Sequence, residues 1–156
     1  MPLGPISIRR YETRDREGCL AAFRSNVPEY FIASDEDEVQ RFLDNIPGIY
    51  FVVEADDASI LACGGIAEET DPSVATLCWG IVDASVQRIG IGTRLLQHRI
   101  AEFLSKHPSV KRVRVNTTQK VQGFYERHGF RVLEVRAGAY GPDLDHVRMQ
   151  RELRLV

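Results

Sequence analysis

Apolar and polar positions along the chain change their period several times, and each change marks a new element. The run Ile6-Ser7-Ile8-Arg9-Arg10-Tyr11 alternates like a half-buried strand. Over residues 15–26, Cys19, Leu20 and Phe23 fall on one side of a helix. Val27-Pro28 ends it, because the residue before a proline avoids helical geometry. Ser34 ahead of Asp35-Glu36-Asp37 predicts a capped second helix with an acidic first turn. Val39, Phe42, Leu43 and Ile46 form its apolar stripe. Strand-like runs follow at 50–54 and 60–66, joined by the polar link Asp56-Asp57-Ala58-Ser59, which is short enough for a hairpin. A third run, Val74–Val82, completes a meander. Helical spacing returns over 90 to about 107, in Ile91, Leu95, Leu96, Ile100, Phe103 and Leu104, and Pro108 closes it. Val113 and Val115 mark a strand, 123–128 a short helix ended by Gly129, and 132–135 a further strand. A loop over 137–143 then leads to an extended segment at 147–153. The order β-α-α-β-β-β-α-β-α-β-β predicts a single domain over residues 1–156. Its class is α/β (α+β), one mixed sheet with helices on both faces.

Composition narrows the setting. The 156 residues are 44% hydrophobic and 27% charged, enough for one continuous core and an ordinary water-facing surface. A formal net charge of -2 gives no electrostatic reason to expect nucleic acid as a partner. The basic residues Lys111, Arg112 and Arg114 alternate along a strand and read as a solvated face. Cys19, Cys63 and Cys78 are too few and too scattered for a disulfide framework or a metal site. They read as small buried hydrophobes in a reducing, cytoplasmic compartment. The start, Met-Pro-Leu-Gly-Pro, lacks the order of a signal peptide, and no apolar run approaches the ~20 residues of a membrane span. Neither a membrane nor a metal is expected. His98 and His107 read as surface histidines, and Trp79, alternating with Leu77 and Ile81, as core.

The stretch Gln87-Arg88-Ile89-Gly90-Ile91-Gly92-Thr93 carries the most chemistry. It lies after a strand and opens the long helix, where backbone N–H groups lack internal partners and the dipole is positive. Phosphate oxygens can accept those bonds, and glycines at Gly90 and Gly92 remove Cβ atoms from the approach. A Walker loop needs Gly-x4-Gly-Lys-Ser/Thr, which does not occur. The dinucleotide fingerprint needs a third small residue where Leu95 stands. On the turn alone, a phosphate site and a plain glycine-containing connection stand level.

With its flanks, the sequence resembles the GNAT superfamily of acyl-CoA N-acyltransferases. Gln87 to Gly92 matches the family's Gln/Arg-x-x-Gly-x-Gly/Ala motif after the fourth strand. Asn116-Thr117-Thr118, followed by Gly123-Phe124-Tyr125-Glu126-Arg127-His128-Gly129-Phe130, is similar to its second block, and the likeness extends from Ile6 to Leu153. The resemblance implies a mostly antiparallel sheet of 6–7 strands, the fourth and fifth splayed, and acetyl-CoA as cosubstrate. It implies that backbone near Ile81 and Val82 pairs with the pantetheine amides, and that amides from Arg88 through Ile89, Gly90, Ile91 and Gly92 to Thr93 bind the pyrophosphate. Side chains of Gln87 and Arg88 are candidates for further contacts, and Asn116 for a polar contact to the pantetheine.

By the same resemblance, Tyr125 is the candidate general acid, protonating the departing CoA sulfur; the alternative is that it packs, as Phe124 does. Some branches of the family carry a glutamate base where Thr76 stands; here no carboxylate occurs from Val74 to Val82. Glu54, Glu68, Glu69, Asp71 and Asp83 lie nearby, and ordered water is an equal candidate. The acceptor pocket is expected from Tyr30 and Phe31 between the first two helices, and from Tyr140 before the last strand, with His146 following. The implied activity is acetyl transfer to a primary amine of a small molecule or peptide. The alternative is a catalytically silent acyl-CoA sensor of the same fold. Relatives often pair, which leaves a homodimer open.

Overall fold

The computed structural model describes residues 4–153. Its elements follow the expected order: β1 (Ile6–Arg10), α1 (Arg16–Arg24), α2 (Glu36–Asp44), β2 (Ile49–Ala55), β3 (Ile60–Glu68), β4 (Val74–Val82), α3 (Ile91–Lys106), β5 (Arg112–Thr117), α4 (Gln122–Arg127), β6 (Arg131–Gly141) and β7 (Leu144–Glu152). The seven strands hydrogen-bond in the order β1-β2-β3-β4-β5-β7-β6. β1–β2, β2–β3, β5–β7 and β6–β7 are antiparallel. β4 and β5 are parallel, with register from Val74–Arg112 to Thr76–Arg114. The chain groups into two compact units, Met1–Ile66 with Cys78–Lys106, and Ala67–Leu77 with His107–Val156.

In the first unit, strand alternation divides two cores. Tyr50 and Val52 of β2 join Cys63 and Ile81 under α1 and α2, whose Cys19, Leu20, Ala22, Phe23, Val39 and Leu43 are buried there. The intervening Phe51 and Val53 point the other way, with Leu61 and Ala62, against Ile91 and Leu95 of α3. A period of two along β2 thus places helices on both faces. The chain enters α2 through a 3-10 turn, Ala33–Asp35, so the cap expected at Ser34 does not form, and Ile32 before that turn makes no side-chain cap. Glu36, Asp37 and Glu38 still fill the first turn of α2, where the helix dipole favours negative charge.

An ion-pair network fastens β1 to its neighbours. The Arg9 guanidinium grips Asp15 through two bonds of 2.8 Å and reaches Glu54 at 2.8 Å. Asp15 is 4% exposed and also accepts the Glu12 N–H. The bond from Arg9, opposed by burial, holds the Asp15 carboxyl below its ordinary range. A depressed folded-state pKa contributes stability above the unfolded value of ~3.9 and loses it as pH falls through the folded one. Replacement Asp15→Asn is therefore expected to lower stability by about 2 kcal/mol at pH 7. It should also flatten the decline in melting temperature below about pH 4. Melts of both proteins from pH 7 to pH 3 check this; parallel curves refute it.

In the second unit, Val113, Val115, Val147 and Met149 are buried along β5 and β7. The basic strand face is paired: Arg112 with Glu152 at 3.1 Å, and Arg114 with Gln150 at 2.9 Å and Glu69 at 3.3 Å. The loop expected over 137–143 is instead the end of β6 and a tight turn into β7. Positive φ at Gly138, Gly141 and Asp143 bends the chain through this irregular end of β6 and the turn. The register shifts between Arg136–His146 and Gly141–Leu144, a bulge that the Asp145 carboxylate closes by accepting the Gly138 N–H at 2.9 Å.

Candidate functional site

The first unit holds the turn that opens α3. β4 leaves the core at Ile81, 2% exposed, and Val82 passes into a short 3-10 turn, Ala84–Val86. The Asp83 carboxylate caps that turn, accepting the Ser85 N–H at 2.9 Å and its hydroxyl at 2.6 Å. Gln87 follows half-buried, then Arg88, Ile89 and Gly90 are exposed, and α3 begins at Ile91. Arg88 (φ 67°) and Gly90 (φ 94°) both take left-handed backbone, which lets the turn coil so that its exposed residues run straight into the helix. A Cβ at Gly90 would meet nothing within 4 Å, so glycine stands here for its conformation, and the space beside it lies open. The Arg94 N–H donates to the Gly90 carbonyl at 3.1 Å, which ties the end of the turn to α3. The first turn of a helix presents backbone N–H groups outward, and the helix dipole adds positive potential there. This exposed bend at a helix start, open at Gly90, could hold a diphosphate.

Gln87 does not point outward. Its Nε2 donates to Asn26 Oδ1 at 2.6 Å and to the Val82 carbonyl at 3.1 Å. Both amide hydrogens are thereby used, leaving only an acceptor oxygen, which cannot donate to a phosphate. Arg88 remains the exposed cation of the motif.

Of the aromatics expected on the acceptor side, Phe31 is half-buried, stacked on Phe23 at 5.1 Å and near Trp79 at 5.9 Å. Trp79 packs against the same core, as its alternation predicted. Tyr30 is half-buried, and its N–H donates to the Asn26 carbonyl at 2.8 Å.

In the second unit, Tyr125 on α4 is 7% exposed, its ring edge-on to Phe124 at 5.1 Å and Phe130 at 5.3 Å. That packing fixes the ring direction. Asn116, exposed near the end of β5, meets His146 across the strand pair, Oδ1 to Nε2 at 2.9 Å. Tyr140, from the β6 bulge, lies over the same His146 ring at 4.8 Å. Asn116, Tyr140 and His146, distant in sequence, form one cluster. Gln119 steadies the adjoining turn, donating to the Asp143 carbonyl at 2.6 Å and accepting the Asp145 N–H at 2.8 Å.

The carboxylates named as base candidates are engaged. Glu69 accepts the Thr76 hydroxyl at 2.7 Å and pairs with Arg114. Glu54 holds Arg9, Asp71 caps Ser73, and Glu68 lies 3.6 Å from His107. Among the described residues no group of three or more His, Cys, Asp or Glu could hold a metal. No described helix is long and apolar enough to cross a membrane.

Asn26 and Arg99 are among the buried polar residues that the sequence reading did not single out. Asn26, 3% exposed, read as a helix boundary because it precedes Val27-Pro28. Arg99, also 3% exposed, sits on the apolar stripe of α3, donates Nη1 to the Gly65 carbonyl at 3.1 Å, and leaves its Nε without a partner. Its guanidinium occupies the room left by Gly64 and Gly80, where an added Cβ would come within 2.9 Å and 3.1 Å of it. The glycines in β3 and β4 were the available signal.

Known proteins share this fold. Residues 15–153 match the family model described as an acetyltransferase (GNAT) domain. Among solved structures, a GNAT-family protein from Desulfovibrio desulfuricans superposes with TM-score 0.80 at 18% identity, covering 95% of this chain and 99% of its own. The ribosomal-protein-S18-alanine N-acetyltransferase from Escherichia coli gives 0.77 at 19%, covering 97% and 96%. An aminoglycoside 6'-N-acetyltransferase complexed with coenzyme A gives 0.75 at 16%, covering 96% and 98%. At these identities the likeness is one of fold. No match is found among curated proteins. The family model spans most of the chain, and the chain belongs to the GNAT acetyltransferase family.

Proposed function

We propose that this protein transfers an acetyl group from acetyl-CoA to a primary amine. The observation that carries the reading is the exposed left-handed turn Arg88–Ile89–Gly90 running into the start of α3. Backbone N–H groups from Arg88 to Thr93 are assigned to the diphosphate, with Arg88 adding its charge, and the strand end at Ile81 and Val82 to the pantetheine arm. The Val82 carbonyl already accepts from Asn26 and Gln87, so that arm is expected to meet other backbone groups of β4. Tyr125 is assigned to protonating the leaving thiolate, a task suited to a phenol held in one direction by packing. Asn116 contributes a polar contact on its strand. Tyr30, Phe31 and Tyr140 are assigned to the acceptor, with His146 beside Tyr140. A coenzyme A complex in one relative of the same fold supports the choice of cosubstrate.

Calorimetry with CoA and acetyl-CoA tests the turn, and thiol release over a panel of peptide and small-molecule amines tests the reaction. Saturable CoA binding is expected, weakened at least tenfold by Gly90→Val, because a β-branched residue resists φ 94° and fills the approach. Absence of binding to folded wild-type protein refutes the reading. Binding without thiol release on any amine would make the protein an acyl-CoA sensor.

A further inference from the structure

We infer that Asn26, at the end of α1, is a positioning residue that sets the shape of the diphosphate turn through Gln87. The inference rests on the turn's binding CoA, as proposed above. It adds a residue outside the motif on which that binding depends.

The Asn26 side chain is buried and saturated. Its Nδ2 donates to the Ala22 carbonyl at 2.9 Å and to the Val82 carbonyl at 2.9 Å. Only an amide nitrogen can satisfy two carbonyls, so the orientation of the group is fixed by its partners. Oδ1 then faces the Gln87 amide, whose second hydrogen returns to the Val82 carbonyl. Asn26, distant in sequence, thus closes a ring of hydrogen bonds with Val82 and Gln87 around the exit of β4.

The backbone of Asn26 is pinned as well. Its carbonyl accepts the N–H of Tyr30 at 2.8 Å and of Phe31 at 3.1 Å, so the side chain cannot follow a drifting turn. One residue earlier, the Ser25 hydroxyl accepts the Ala84 N–H at 3.0 Å, a second tie from α1 to the same connection. Beyond Gln87, Arg88 and Ile89 are exposed, Arg88 and Gly90 hold left-handed backbone, and the chain is next tied where the Gly90 carbonyl accepts the Arg94 N–H. Gln87 is therefore the last side-chain tie before the turn. Loss of Asn26 removes the shorter of its two bonds, leaving only the Val82 carbonyl to hold it, and loosens the direction of the N–H groups that follow. Binding sites held by supporting side chains lose affinity when the support is removed, without losing any group that touches ligand.

The test compares whole CoA with S-acetylpantetheine, a thioester lacking the diphosphate. In folded Asn26→Ala and Gln87→Ala variants, CoA is expected to bind at least tenfold more weakly. The double variant should fall no further than the worse single one, as for two members of one network. Turnover at saturating acetyl-CoA should stay within twofold of wild type, and kcat/KM for S-acetylpantetheine within threefold. A merely structural residue would depress both cosubstrates alike. If Asn26→Ala does not fold, half-buried Gln87→Ala carries the comparison. Unchanged CoA affinity in the variants, or equal losses on both thioesters, overturns the role of Asn26 while wild-type binding stands. Failure of the wild type to bind CoA overturns the reading of the turn and this inference together.

Discussion

Replacing Tyr125 by phenylalanine is expected to lower kcat for acetyl transfer by about a hundredfold or more while KM for acetyl-CoA stays within twofold. The substitution keeps the ring between Phe124 and Phe130 and removes one oxygen, so packing is spared. A proton donated to a leaving group matters only as the bond breaks. Its loss therefore appears in turnover and not in ground-state affinity. Steady-state kinetics with saturating amine, together with calorimetry for CoA, separate the two quantities. An unchanged kcat in Tyr125→Phe removes the phenol from the reaction and leaves the residue a packing aromatic.

The largest expected effect on stability is at Gly65, where alanine should cost about 3 kcal/mol. Gly65 lies opposite Tyr50 in the β2–β3 register. A Cβ there would stand 2.7 Å from the Ile49 carbonyl oxygen and 2.6 Å from the Tyr50 ring. The oxygen belongs to backbone in a sheet and cannot swing aside. Nor can the ring, because Tyr50 is 3% exposed and its hydroxyl is bonded to the Trp79 carbonyl at 2.8 Å. The strands must part or the ring must leave its site. Denaturant unfolding of Gly65→Ala against wild type measures the loss, and a difference under 1 kcal/mol would show that the pair yields more readily than its packing implies.

The sequence made the α3 start and the three-strand meander legible because each is a local pattern: helical spacing, alternation, and glycine at a change of period. The division of the core by β2 was not legible, since Tyr50-Phe51-Val52-Val53 is apolar throughout and only the packing shows which residues face which helices. The β6 bulge was not legible, since Gly138 and Gly141 read as loop residues until the ladder with β7 shows them bending a strand. Tyr140 moved with it, from a loop to a bulge over His146. Phe31 reads as an exposed loop aromatic, yet stacking on Phe23 half-buries it, a contact that no pattern of spacing encodes. Asn26 and Gln87 were hidden for a related reason. A polar residue betrays its burial only through its partners, and these lie 61 positions apart.

Arg99 against Gly64 and Gly80 also constrains how this protein can change. A methyl group at either glycine meets a confined guanidinium, while a shortened side chain at position 99 leaves a void and strips the Gly65 carbonyl of its donor. Neither first step is neutral, yet a methyl at either glycine fills part of the room that a shorter side chain at position 99 vacates. The three sites form an epistatic set. Mutational histories that pass through position 99 before 64 or 80 should diverge in viability from those taken in the reverse order.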